Sequence, residues 1–281
     1  MEKHREKHRL LYIAFLDLEK AFDRVPHELI WYALRQHLVP EELVRWVQLL
    51  YHDPKSKVQS MAGVSNPLRA SVRVHQGSAL SPLLFVVVMD TVTRDIQRPA
   101  PYTLLYEDDV FLTSHSKNDL EQLVQKWNDR LTQHGLRLNL NKIEFLTTDP
   151  HETGAITVSS SDLSRTERFK YLGSTLSTNG ELRYEIASRV NAAWMKWRFT
   201  TGVLCDRRIN ERLKSIIYRN VIPPVTHYGS ECKPTIKDNE PRLAVMETKM
   251  LRWTSGVTRF DHIRNEDIRD RYRVAQIVEK L

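Results

Sequence analysis

The first half of the chain contains one short, continuous apolar run and several stretches in which apolar residues recur at helical spacing. Residues 10–16 are all apolar and have the length of a buried strand, which ends at Asp17. Apolar positions at helical spacing predict a helix over residues 29–38 and, after Pro40, another over residues 43–51. We expect the apolar faces of both helices to be turned to the core.

The other elements of this half are predicted from turn residues, helix caps and periodicity. Two strands are predicted over 57–62 and 68–75, joined by the turn 63–67. A helix follows over 81–96, with Ser81 as its N-cap and Pro82 at the first helical position, and an amphipathic helix over 120–131 ends near Gly135. Further strands are predicted at 144–147, 156–158 and 169–172.

From residue 181 onward the pattern is helical. Apolar residues share one side of the first helix of this half: Ile186, Val190, Ala193, Trp194 and Trp197. We expect the two tryptophans to belong to a core rather than to stack on a ligand. The chain is thus predicted to be α+β, with a mixed first part and a helical second part.

Composition and charge narrow the classes of protein that fit. The chain has 281 residues, of which 41% are hydrophobic, enough for one large domain or two modest ones. Residues 1–181 carry 22 basic against 23 acidic residues, whereas residues 182–281 carry 20 against 12. This C-terminal excess is typical of a segment that binds a polyanion, and a solvated basic surface explains it as well.

Cysteine usage and hydropathy exclude other classes. Cys205 and Cys232 have no partner in a C-x-x-C or Cys/His pattern, so we expect neither a zinc site nor a disulfide framework, and we interpret both as reduced intracellular thiols. The charged start, residues 1–9, does not resemble a signal peptide, and no apolar run approaches the roughly 20 residues of a membrane span. No contact with a membrane is expected.

Carboxylates occur at two points where strands are predicted to end or turn. Asp17 follows the apolar run, and Asp108 and Asp109 lie between apolar runs at 102–106 and 110–112. A strand end and a hairpin tip can bring such acids together around two divalent cations about 3.5–4 Å apart, a site that catalyses phosphoryl transfer. Taken singly, Asp17 can also be a helix N-cap and an Asp-Asp pair a solvated turn.

Five stretches of the sequence match a known set of motifs in its order. They are residues 15–23 (FLDLEKAFD), 75–85 (HQGSALSPLLF), 105–110 (LYEDDV), 135–142 (GLRLNLNK) and 169–174 (FKYLGS). These resemble motifs A to E of the reverse transcriptases of non-LTR (LINE-like) retrotransposons, here without the N-terminal part. The resemblance implies a polymerase palm, an antiparallel sheet with packed helices and partial fingers, over residues 1–178. It also implies a basic helical thumb with a C-terminal extension over residues 179–281.

The resemblance also implies a role for individual residues. Asp17, Asp108, Asp109 and Lys142 would be catalytic, and Asp17, the carbonyl of Leu18, Asp108 and Asp109 would bind Mg²⁺, with Mn²⁺ as a substitute. Lys142 would protonate the pyrophosphate or lie near it as a cation. Phe22 would exclude a ribose 2′-hydroxyl, and Gln76 and Gly77 would border the new base pair. The primer grip would comprise Tyr171, Leu172 and Gly173, and Arg183, Arg189, Lys196 and Arg198 would contact nucleic-acid phosphates.

The implied partners are an RNA template, a DNA primer and deoxynucleoside triphosphates, and nuclear residence would follow from the family. The sequence departs from the family at Glu107, where a small or apolar residue usually precedes the two aspartates, and at Ile143 after Lys142. Only 16 residues precede Asp17, which leaves no room for upstream fingers motifs, and neither an endonuclease domain nor a Cys/His knuckle is recognised. Those regions would come from a longer retroelement protein.

Three interpretations follow. The first is an RNA-directed DNA polymerase region. The second is a catalytically inactive or degenerate retroelement fragment that still binds nucleic acid. The third is another palm enzyme, such as an intron maturase or an RNA-directed RNA polymerase. The residues of motifs A, B and E and the aromatic ring of Phe22 disfavour the third interpretation. The motifs favour the first as the biochemical class, and the absent fingers favour the second for turnover by this chain alone.

Overall fold

The computed structural model describes residues 4, 6–7, 9–52, 55–57, 59–61, 63–66, 68–69, 74–75, 77–229 and 240–277. The chain forms two compact units, Met1–Phe169 and Lys170–Leu281. Predictions for Gln76 and Cys232 fall outside the described residues. The assignment of a palm to residues 1–178 and a thumb to residues 179–281 stays a prediction.

A mixed sheet lies at the centre of the first unit. Its six strands are β1 Tyr12–Leu16, β6 Thr103–Tyr106, β7 Asp109–Ser114, β8 Glu144–Thr147, β9 Ile156–Val158 and β10 Ser161–Arg165, in the order β6-β7-β1-β8-β10-β9. β1 runs antiparallel to β7 and β8, and β10 runs parallel to β8. All five residues of β1 are buried, which explains why its sequence is a continuous apolar run.

Helices of the first unit cover this sheet. They are α1 Ala21–Arg24, α2 His27–Gln36, α3 Glu41–Leu50, α4 Ser81–Thr93 and α5 Lys117–Gln133. Phe85 of α4, Trp127 of α5 and Phe145 of β8 are fully buried in one core. The sequence prediction of an α+β fold with an antiparallel-rich sheet is confirmed.

The end of α5 was located correctly from the sequence. Gly135 has a φ of 81° and its N–H donates to the carbonyl of Thr132 (3.1 Å), while the N–H of Leu136 donates to the carbonyl of Leu131 (3.0 Å). These two hydrogen bonds form a Schellman motif, in which glycine adopts the left-handed conformation without a Cβ clash.

One local prediction holds only in part and another was wrong. On the apolar face predicted over residues 43–51, Val44 and Tyr51 are buried and Val47 packs on the core, but Leu43 and Leu50 are 52% and 61% exposed. Ser81 is the first helical residue rather than the N-cap. Its hydroxyl donates to the carbonyl of His75 and therefore fixes the preceding loop instead of a helix N–H.

The predicted strands at 57–62 and 68–75 are only short pairings in the described part. β2 Lys55–Ser56 pairs with β5 Leu68–Arg69, and β3 Gln59–Ser60 pairs with β4 Gly63–Val64. Several residues of both predicted strands lie outside the described ranges.

Helices make up most of the second unit, as predicted from residue 181 onward. The unit begins within the hairpin formed by β11 Arg168–Tyr171 and β12 Ser174–Ser177. The elements that follow are α6 Arg183–Leu204, α7 Glu211–His227, α8 Glu240–Ser255, a 3₁₀ turn Arg259–Asp261 and α9 Asn265–Tyr272. Trp197, Tyr218 and Met250 are fully buried in its core. Trp194 packs on this core, so the expected core role of both tryptophans is confirmed. In the described part of the chain, no helix is both long and apolar enough to span a bilayer.

Candidate active site

Asp17 and Asp109 lie side by side because of the register between β1 and β7. Leu16, the last residue of β1, is opposite Val110 in the antiparallel ladder. Asp17 follows Leu16, and Asp109 precedes Val110 as the first residue of β7. Extending the register by one position therefore places the two aspartates opposite each other at one end of the first unit's sheet.

The second carboxylate position lies in the tight turn between β6 and β7. Tyr106 pairs with Asp109, which leaves Glu107 and Asp108 as the two turn residues. Glu107 has a φ of 54°. Two-residue hairpin turns require a positive φ at their first central position, which is uncommon for a glutamate. The turn fixes Asp108 beside Asp109 but also places the carboxylate of Glu107 in the same group.

Burial and the repulsion between neighbouring carboxylates both change the pKa of Asp109. Its pKa is raised, first by partial burial and then by the negative charges of Asp108, Asp17 and Glu107. The contribution of Asp17 agrees with the β1–β7 register, which brings the strand end next to the hairpin. A bound cation would relieve this repulsion.

The segment predicted as motif D lies against Asp17. Leu18 forms an isolated antiparallel bridge with Leu138. The N–H of Asn139 donates to the carbonyl of Asp17 (2.8 Å), and the N–H of Glu19 donates to the carbonyl of Arg137 (2.8 Å). Neither bond of this bridge uses the carbonyl of Leu18. The role of Asn139 was not recognised in the sequence, because a backbone donor leaves no side-chain signal.

The side chain of Lys142 also lies beside Asp17. Its Nζ lies 3.6 Å from Oδ2 of Asp17, and its side chain is 69% exposed. A long cationic side chain with this exposure retains its mobility. Ile143, which departs from the family pattern, is fully buried in the core of the first unit.

The donor set fits a hard divalent cation. Carboxylate and carbonyl oxygens are the ligands that Mg²⁺ prefers, and it usually keeps positions open for water or substrate phosphates. Among the described residues, no group of three or more His, Cys, Asp or Glu side chains already encloses a metal position.

Two other predicted residues lie on α1 and in the loop before α4. The ring of Phe22 stacks on Phe85 with 4.7 Å between centroids. The N–H of Val74 donates to the carbonyl of Phe22 (2.7 Å), which joins this loop to α1. Gly77 is exposed and has a φ of 84°, a conformation that favours glycine even though a Cβ there would meet no neighbour within 4 Å.

The predicted primer grip is the turn of the β11–β12 hairpin. Leu172 and Gly173 have φ values of 46° and 78° and so form a two-residue turn with both residues in the left-handed region. The hydroxyl of Tyr228, from the end of α7, donates to the carbonyl of Leu172 (2.9 Å). A Cβ on Gly173 would come within 3.2 Å of the Tyr228 ring, so glycine also permits this close approach.

Arg189 holds the same turn from α6. Its guanidinium donates to the carbonyl of Gly173 (2.5 Å) and to the carboxylate of Glu185 (2.8 Å), and it lies over the Tyr228 ring at 4.7 Å. Glu185 also accepts from the N–H of Thr175 (2.5 Å). The side chains of Arg189 and Glu185 are only 13% and 3% exposed. The i, i+4 spacing of Glu185 and Arg189 was a readable signal for this pair, which the sequence interpretation missed.

The other predicted phosphate contacts are on the surface of α6. Lys196 and Arg198 are exposed. Arg183, at the start of the helix, pairs with Glu181 (2.5 Å) and lies over the Tyr184 ring at 4.6 Å. The phosphate-binding role of all four basic residues stays a prediction, and Arg189 differs from the others because its charge is used within the second unit.

Comparison with known proteins agrees with this architecture. The family model "Reverse transcriptase (RNA-dependent DNA polymerase)" matches residues 1–176. The chain is 28% identical to the Pol polyprotein of the R2 retrotransposable element of Nasonia vitripennis over 70% of its length, and 30% identical to that of R2DM of Drosophila melanogaster over 64%. It is 23% identical to the RNA-directed DNA polymerase from mobile element jockey of Drosophila funebris over 95% of its length.

These relatives are much longer than the chain, which covers 22%, 19% and 30% of their respective lengths. Among solved structures, apo telomerase from Candida tropicalis superimposes with a TM-score of 0.50 at 12% identity, over 90% of this chain and 47% of the telomerase chain. This structural likeness supports the fold alone. Because the family model covers more than half of the chain, the protein belongs to the reverse transcriptase family and is related to the polymerases of non-LTR retrotransposons.

Proposed function

We propose that this chain is the polymerase region of a non-LTR retrotransposon protein and extends a DNA primer on an RNA template by two-metal nucleotidyl transfer. The observation that carries the proposal is the convergence of Asp17 with Asp108 and Asp109, next to Lys142, at one end of the sheet. The R2 and jockey relatives support the substrate class, since the jockey protein is named as an RNA-directed DNA polymerase.

Asp17, Asp108 and the carbonyl of Leu18 would hold two Mg²⁺ ions, with Asp109 as a further ligand. When bound, the ions would lower the pKa of the primer 3′-hydroxyl and stabilise the charge on the departing pyrophosphate. The β1–β7 register supports the proposal, because it pairs the strands that carry Asp17 and Asp109 before substrate enters.

Lys142 would act on the leaving group. Its ammonium lies within 3.6 Å of Asp17 and therefore borders the place where the acids meet. In the proposed reaction it donates a proton to the pyrophosphate or neutralises its charge. Its exposed stem allows the ammonium to move from the Asp17 carboxylate to the phosphate oxygens.

The proposed use of an RNA template is tested by supplying one primer with an RNA template, a DNA template or no template. The proposal predicts DNA products complementary to the RNA template, and extension that ignores the template sequence would contradict it.

Phe22 is proposed to select deoxynucleotides. Phe22→Val is expected to lower the preference for deoxynucleotides over ribonucleotides by on the order of 10²-fold, because the ring no longer occludes the 2′-hydroxyl. The measurement is the ratio of kcat/KM for the two nucleotides, in which any loss of stability from the broken stack with Phe85 cancels. Phe22→Tyr keeps the ring and should keep the preference. An unchanged ratio in Phe22→Val would contradict the assignment.

A second candidate function, nucleic-acid binding without catalysis, is favoured by Glu107. Its carboxylate lies in the turn beside Asp108 and contributes to the raised pKa of Asp109. A further negative charge here repels the triphosphate and the primer phosphates.

Glu107→Gln removes this charge and keeps the side-chain shape. We expect the KM for deoxynucleotides to fall about 5-fold, the equivalent of the roughly 1 kcal/mol between two charges 4 Å apart in water. Glu42→Gln, at an exposed position of α3, is the matched control and should leave the KM unchanged. Equal KM values for wild type and Glu107→Gln would show that the carboxylate does not face the substrate.

A further inference from the structure

A basic cavity lies within the second unit, away from the residues discussed so far. It has a volume of about 340 Å³ and is formed by α8, the 3₁₀ turn and α9. Its lining includes four basic side chains: Lys249, Arg252, Arg259 and Arg269. Glu266 is the acidic residue among the lining side chains.

Arg252 is held in place by neutral oxygens. Its guanidinium donates to the carbonyl of Thr258 (2.8 Å), to the carbonyl of Ile263 (2.6 Å) and to Oδ1 of Asn265 (3.0 Å). None of these acceptors carries a charge, so the hydrogen bonds orient the guanidinium without neutralising it. Its side chain is therefore a pre-positioned cation at the wall of the cavity.

The charge of the cavity is only partly balanced. Arg269 is neutralised by Glu247, a nearly fully buried carboxylate 3.1 Å away, and lies 3.9 Å from Glu266. Glu247 and Glu266 balance two of the four lining cations. Asp261 balances a third, because its pKa is lowered by its hydrogen bonds with Thr258 and also by the charge of Arg252, so one positive charge remains. Asp261, in the neighbouring turn, does not line the cavity; it accepts from the N–H (2.5 Å) and the hydroxyl (2.8 Å) of Thr258.

The 3₁₀ turn that contributes Arg259 to the lining also exposes an aromatic ring to solvent. Phe260 follows Arg259 in the chain and is 89% exposed. The turn is fixed at both ends by the reciprocal contacts of Thr258 and Asp261 that form a capping box. Basic side chains together with an exposed aromatic ring are the combination with which proteins hold single strands, through phosphate contacts and base stacking.

We propose that this cavity binds the backbone phosphate of a single-stranded nucleic acid, with Phe260 stacking on an adjacent base. A ligand that carries both groups matches the two features better than a free anion, which uses the cations but leaves the ring unexplained. The site is separate from the exposed cations of α6 and does not require catalysis. It would give the chain a second hold on a template or displaced strand.

The test measures the binding of a fluorescent single-stranded RNA to the full 281-residue chain as a function of salt. The double variant Lys249→Glu/Arg259→Glu should bind at least about 10-fold more weakly, with a salt slope reduced by about 1.4 for two lost phosphate contacts. Phe260→Ala should weaken binding by about 5-fold or more, and should have no effect with a strand that lacks bases.

The control is Arg207→Glu/Arg208→Glu, two exposed residues between α6 and α7 that change the net charge equally. A much smaller loss in this control supports the proposal, provided that all variants melt at the wild-type temperature. Equal losses in both double variants would mean non-specific attraction and would overturn it. Unchanged binding in Phe260→Ala would overturn base stacking. Displacement of the RNA by equimolar inorganic pyrophosphate would instead mark a small-anion site.

Discussion

Asp108→Asn is expected to abolish primer extension, by at least about 10³-fold, while duplex affinity stays nearly the same. The substitution removes a charged metal ligand but keeps the size of the side chain in the β6–β7 turn. Metal ions stabilise the transition state of such reactions by several kcal/mol, and each 1.36 kcal/mol corresponds to a factor of ten in rate. The measurement is the single-turnover rate on a primer–RNA duplex, with binding followed separately.

Asp129→Asn is the matched control for this prediction. Asp129 is exposed on α5, where it accepts from Gln125 (2.7 Å), and its replacement should leave extension unchanged. Activity in Asp108→Asn equal to that of wild type would refute the metal assignment. Loss of duplex binding together with activity would show that Asp108 acts on folding or on binding instead.

Arg189→Ala is expected to destabilise the second unit by about 3–5 kcal/mol, the usual cost of removing one partner of a buried ion pair. The reason is that Glu185, with a side chain 3% exposed, would be left as an uncompensated buried charge. The turn at Leu172 and Gly173 would also lose a donor from α6. The measurement is the free energy of unfolding in urea, followed by tryptophan fluorescence.

Arg183→Ala provides the comparison. Arg183, the first residue of α6, forms an exposed ion pair with Glu181, which precedes the helix, and its loss should cost at most about 1 kcal/mol. Arg189→Lys should lie between the two, since lysine keeps the charge beside Glu185 but lacks the planar fork that also reaches Gly173. A loss in Arg189→Ala no larger than in Arg183→Ala would contradict a role for this residue in holding the hairpin.

The sequence predicted the features that depend on local pattern. The buried strand before Asp17, the tight hairpin that holds Asp108 and the end of α5 at Gly135 each follow from periodicity or turn chemistry over a few residues. Their order along the chain, together with the family motifs, was enough to expect the convergence of the acids.

Contacts between distant segments were not predictable in the same way. Tyr228 reaches Leu172 across 56 residues, and Asn139 reaches Asp17 through its backbone, so neither contact leaves a periodic signal. Arg189 looked like a surface cation because a charge pattern does not reveal burial. The apolar side of α3 likewise predicted a helix correctly but did not reveal that Leu43 and Leu50 stay exposed beside the buried Val44.

The most direct test of the proposed reaction is extension of a DNA primer on an RNA template by the wild-type chain as Mg²⁺ is added and then removed by a chelator. The account predicts template-complementary products whose rate rises with Mg²⁺ and stops on chelation. If duplex is bound in a salt-sensitive manner but no nucleotide is added at any Mg²⁺ or Mn²⁺ concentration, the carboxylates are not a working polymerase site and the chain is a silent nucleic-acid-binding fragment.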